Sequence, residues 1–64
     1  MIKINGEDVE REEILLLDYL KEQNYNMKII VVECNEEIVP RDQYGTFMLH
    51  SGDVVEIVSF VGGG

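Results

Sequence analysis

The chain has 64 residues, 45% of them hydrophobic, and sets 13 acidic side chains against 5 Lys and Arg for a formal charge of −8. That length allows one small domain, burying about 60% of the surface its unfolded form exposes, and its single cysteine excludes an internal disulfide or a cysteine-rich metal cage. So few cations exclude nucleic acid as a natural partner, because phosphate backbones are held by Lys and Arg.

The acidic excess suits solubility, and equally steering toward a basic protein surface. Met1-Ile2-Lys3-Ile4 lacks the long apolar region of a signal peptide, and no run approaches membrane-spanning length. The expected compartment is the cytoplasm, with no membrane partner.

Ile2 and Ile4 alternate with polar neighbours, as in a half-buried strand. Asn5-Gly6 then predicts a type I′ turn, whose two central residues need positive φ. Glu7 to Glu10 returns as a weak second strand with Val9 as its apolar residue. From about Glu12 to Gln23 the spacing becomes helical: Leu16, Leu17 and Leu20 form a stripe, with Ile14 and Tyr19 at its edges. Glu12 and Glu13 fall in the expected first turn, where the helix dipole favours negative charge. Leu15 points away from the stripe toward Asp18 and Glu22, and Asn24 is a suitable left-handed stop.

The β-branched run Ile29-Ile30-Val31-Val32 predicts a central strand covered on both faces or nearly so. Asn35-Glu36-Glu37 reads as a turn, and Ile38-Val39 as extended before Pro40. Arg41 to Tyr44 is expected as a helical turn and Thr46 to Leu49 as a short strand. Ser51-Gly52-Asp53 is turn chemistry leading into the last strand, Val54 to Val61. Along it Val55, Ile57, Ser59 and Val61 share one face, and Val54, Glu56, Val58 and Phe60 the other. With Val55 and Ile57 under the helix, Val58 and Phe60 face solvent and form a candidate partner-contact surface.

Together these elements predict an α+β roll in which one main helix packs on one face of a small mixed sheet. A right-handed crossover through the helix is expected to place the third strand parallel to a neighbour. Residues 1–60 are expected to form the domain, and 61–64 a flexible tail ending in Gly62-Gly63-Gly64. Glycine loses the most backbone freedom on ordering, so such a tail is expected to be extended and mobile, and thin enough to thread a narrow channel. A frayed end or linker scar has the same composition.

This ordered set resembles the ubiquitin-like β-grasp, and more specifically the ThiS family of sulfur carriers in thiamine biosynthesis. The matching pieces are Ile2-Lys3-Ile4-Asn5-Gly6, the helix leucines, Val31-Val32-Glu33 with Asn35, and Ile38-Val39-Pro40-Arg41 with Tyr44. Gly52-Asp53 and Phe60-Val61-Gly62-Gly63-Gly64 complete the match. Arg11-Glu12-Glu13 departs from it, standing where relatives have a small polar residue at helix entry.

The resemblance implies a substrate and carrier, not an enzyme. The Gly64 carboxylate would be adenylated by an E1-like adenylating enzyme using ATP and Mg, then converted to a thiocarboxylate by a persulfide such as that of a cysteine desulfurase. A thiazole synthase would take up the sulfur. Gly62 and Gly63 would be the leader threading the partner's active site. The chain itself would bind no cofactor or metal, supply no catalytic residue and be monomeric when free. The small subunit of molybdopterin synthase, a ubiquitin-like modifier and a non-reactive interaction module are alternatives with the same fold. Beside this reading, Cys34 fits a small hydrophobe, His50 with Ser51 and Asp53 fits a turn and not a triad, and Arg41 is expected to pair with Asp42 or a helix carboxylate.

Overall fold

A computed structural model describes residues 1–60. The expected end of the last strand at Val61 and the expected tail at Gly62, Gly63 and Gly64 lie outside the described residues.

Strand β1 (Ile2–Ile4) turns through Asn5-Gly6 into antiparallel β2 (Glu7–Val9). Both turn residues have positive φ, 51° and 83°, as a type I′ turn requires. The chain continues through β3 (Glu13–Leu15) into the helix α1 (Leu16–Glu22). Then come β4 (Ile30–Cys34), β5 (Glu37–Val39), a 3-10 turn at Arg41–Gln43, β6 (Met48–His50) and β7 (Val54–Ser59). The main sheet has the order β2-β1-β7-β4-β5, and β3 pairs with β6 in a separate two-stranded sheet.

The expected helix over residues 12–23 begins only at Leu16. Glu13, Ile14 and Leu15 are instead extended, opposite His50, Leu49 and Met48. The helix entry has no side-chain cap; the N–H groups of Leu16 and Leu17 donate to the carbonyls of Phe47 and Tyr44 at 2.8 and 3.0 Å. Two of the four orphan donors of a helix start are thus satisfied by the backbone of the 44–47 loop. This explains how the chain manages without a small polar residue there. At the other end Asn24, with φ of 60°, donates to Lys21 O and Tyr25 donates to Leu20 O. That pair of bonds is a Schellman closure, with Asn in the left-handed position.

Two further expectations are corrected. β4 is covered on one face only: Ile30, Val32 and Cys34 are buried, while Glu33 is exposed and Val31 half-buried. A single helix has one sheet face to cover, so a β-branched run need not be enclosed on both. The parallel pair is β1 with β7; β4 runs antiparallel to both its neighbours, β7 and β5. The crossover gives β4 the direction of β2, but β1 and β7 lie between them.

The core joins Ile2, Ile4, Val32, Val55 and Ile57 of the sheet to Leu16 and Leu20 of α1, with Ile14 and Leu49 from the small sheet. Leu16 and Leu20 are one turn apart and both fully buried, which fixes the rotation of the helix on the sheet.

Candidate functional site

The helix leaves the other face of the main sheet bare. There the alternation of β7 and β4 presents Val54, Glu56 and Val58 beside Val31 and Glu33, with Lys3 of β1 and Ile38 of β5 at the flanks. As the sequence implied, Val55 and Ile57 point into the core while Val58 and Phe60 face solvent, 54% and 57% exposed. Val58 stands opposite Val31, and Ile38 is 65% exposed on the neighbouring strand. Val58, Val31 and Phe60 thus form an apolar group at the C-terminal end of β7, while Ile38 flanks the Glu33–Glu56 rung.

Next to it lies an acidic part. Glu33 and Glu56 face one another directly across β4 and β7, and with Asn35, Glu36 and Val54 they line a shallow groove. Like charges in direct register oppose folding. The nearest cation on this face, Lys3, sits 3.7 Å from Asp8.

Two asparagines tie β7 in place, one at its start and one at its middle. Asn35 accepts from the Val54 N–H at 3.0 Å through its Oδ1 and donates to Asp53 Oδ1 at 3.1 Å. Asn5 accepts from the Ile57 N–H through Oδ1 at 2.7 Å. Sequence reasoning valued Asn5 for its turn conformation and missed this second bond, because the partner lies 52 residues away.

Arg41 makes no ion pair among the described residues. Its Nη2 instead donates to the Lys28 carbonyl at 3.1 Å, which corrects the expected pairing with Asp42 or a helix carboxylate. Cys34 is buried, and its thiol is pushed up from its ordinary pKa by that burial and by the nearby Asp53, so it is a poor nucleophile. Burial likewise raises the Tyr44 hydroxyl against the lowering effect of Arg41. His50 lies 3.6 Å from Glu13 across the small sheet, with both side chains exposed. Among the described residues no charged side chain is buried and no three His, Cys, Asp or Glu gather as metal ligands. No helix among them is long and apolar enough to cross a membrane.

A five-stranded mixed sheet carrying one helix, with its other face bare and partly apolar, defines a ubiquitin-like β-grasp protein built around a surface. The ThiS family model matches residues 1–64. The sulfur carrier protein ThiS of Bacillus subtilis is 39% identical over 66 residues, with all of both chains covered. The chain therefore belongs to the ThiS family, which places it among the sulfur carriers of thiamine biosynthesis and not among catalysts. A crystal structure of the thiamine biosynthesis protein ThiS from Geobacter metallireducens superposes with a TM-score of 0.78 at 27% identity, covering 98% of this chain and 97% of that one. A thiazole synthase of Paramagnetospirillum magneticum is 37% identical over 62 residues, covering 95% of this chain but 19% of the synthase.

Proposed function

We propose that the chain carries sulfur as a thiocarboxylate on the carboxylate of Gly64 and delivers it to a thiazole synthase. The observation that carries this reading is the family match across residues 1–64, glycines included. Similarity to part of a thiazole synthase supports that enzyme as acceptor, since one chain there holds a stretch like this one.

A carboxylate is ionised at neutral pH and resists nucleophiles, so it must first be activated. An E1-like partner would supply ATP and Mg, joining AMP to Gly64 with loss of pyrophosphate. A persulfide sulfur, from a cysteine desulfurase or similar donor, displaces AMP, and thiol reduction of the S–S bond leaves the thiocarboxylate. Gly62 and Gly63 add no side chain beside the attacked carbonyl. Val58, Phe60, Val31 and Ile38 offer the apolar surface on which the partners dock, in turn, with the free chain monomeric between them. Burying such side chains favours docking, while the flanking acids fix orientation and speed encounter.

The test is the intact mass after incubation with the adenylating enzyme, ATP, Mg, cysteine, a desulfurase and a thiol reductant. Replacement of one oxygen by sulfur is expected, and it should be absent after deletion of Gly64. No change, with the enzymes active on another carrier, would refute the reading.

A further inference from the structure

The last β7–β4 rung before residues 61–64 is half-formed. Phe60 N–H donates to Ile29 O at 2.7 Å, continuing the register in which Ile30 faces Ser59. The return bond is missing, because the Ile29 N–H turns back to Asn26 O at 3.1 Å. Among the described residues, the last hold on the end of β7 is therefore one hydrogen bond, and its acceptor belongs to the 26–29 loop rather than to a strand. Two side chains fix that loop. Asn26 Oδ1 accepts from Lys28 N–H at 3.0 Å, and Arg41 Nη2 reaches over from the 3-10 turn to the Lys28 carbonyl at 3.1 Å. Lys28 and Ile29 are consecutive, so what steadies one carbonyl steadies the other.

We propose that Arg41 is a positioning residue for sulfur loading: through Lys28 and Ile29 it holds Phe60, the residue after which the chain continues toward Gly64. This rests on the carrier reading above. A group that must reach a reaction centre in another protein loses rate when its root is loose, because orientation is part of the barrier. Arg41 is well suited to holding the loop, because a planar guanidinium is pre-organised and loses little freedom for each hydrogen bond it makes.

The experiment uses the full chain as wild type, R41Q and N26A, with R41K as the conservative variant. Amide exchange is followed residue by residue, and thiocarboxylate formation by mass. One lost hydrogen bond shifts an opening equilibrium by about fivefold. Phe60 exchange is expected to accelerate by about that factor in R41Q and N26A. Exchange at Ile57, held by Asn5, and the urea midpoint should stay at wild-type values. In both variants kcat for loading should fall by up to about fivefold with KM unchanged, and R41K should recover part of it. N26A is informative because it loosens the same loop without removing the guanidinium. Slower loading in R41Q with Phe60 exchange unchanged would overturn the proposal, as would faster exchange in N26A with loading at the wild-type rate. No loading of the wild-type chain at all would instead remove the carrier reading and this inference with it.

Discussion

Asn5 combines two roles that substitution can separate. Its backbone sits at φ of 51°, and its Oδ1 accepts from the part-buried Ile57 N–H at 2.7 Å. β1 ends at Ile4, and Asn5 N–H makes the adjacent bond to Val55 O at 2.9 Å. The next inward donor on β7 is Ile57, and the Asn5 side chain meets it after the main chain has turned away. Asn5→Gly keeps the turn and loses the bond; leaving a buried N–H unsatisfied costs about 1–3 kcal/mol, and the part-buried Ile57 N–H belongs at the lower end of that range. Asn5→Ala loses the bond and adds left-handed strain of roughly 1–2 kcal/mol, for a total of about 2–5 kcal/mol. A chain of 64 residues has roughly 3–10 kcal/mol of stability in all, so Asn5→Ala should lose about half of it. Asn5→Asp, which keeps both an acceptor and tolerance of the left-handed region, should stay near wild type. Urea denaturation gives the three values, and exchange at the Ile57 amide localises them. An Asn5→Gly variant as stable as wild type would refute the bond's role; equal losses for Asp and Ala would refute the division into two parts.

Two further outcomes follow from the same geometry. The β4–β5 turn places Glu36 at φ of 71° beside Asn35 at 53°, and a glutamate gains nothing there, so Glu36→Gly should raise stability by about 1 kcal/mol, read as a higher urea midpoint. Val58→Ser with Phe60→Ser should leave the urea midpoint near wild type, since both side chains are exposed, yet raise the KM for sulfur loading by roughly tenfold or more, on the order expected for two lost docking contacts.

Much of the site was legible because it depends on local rules. Alternation along β7 was enough to put Val58 and Phe60 opposite the core, since a strand's side chains have a period of two whatever lies around it. Asn5-Gly6 and Asn24 announced their left-handed conformations for the same reason: few residues tolerate them. The bond from Ile57 to Asn5 and the reach of Arg41 to Lys28 were not legible, because side-chain partners distant in sequence leave no local pattern.

The sequence by itself determined the turns, the faces of the strands, the leucine stripe and the excess of negative charge. Tertiary structure decided which segments became strands and how they paired. Glu13-Ile14-Leu15 fits the helical stripe well enough, but β6 lies alongside it and offers backbone partners that an added helical turn would forgo. Local periodicity ranks conformations, and the neighbour brought in from residues 48–50 selects among them. The β-branched run of β4 likewise promised two covered faces, and a chain with one helix could cover only one. The face left over, with Val58, Phe60, Glu33 and Glu56 side by side, exists because β7 was inserted between β1 and β4. That pairing joins residues more than twenty positions apart, and only the packed molecule fixes it.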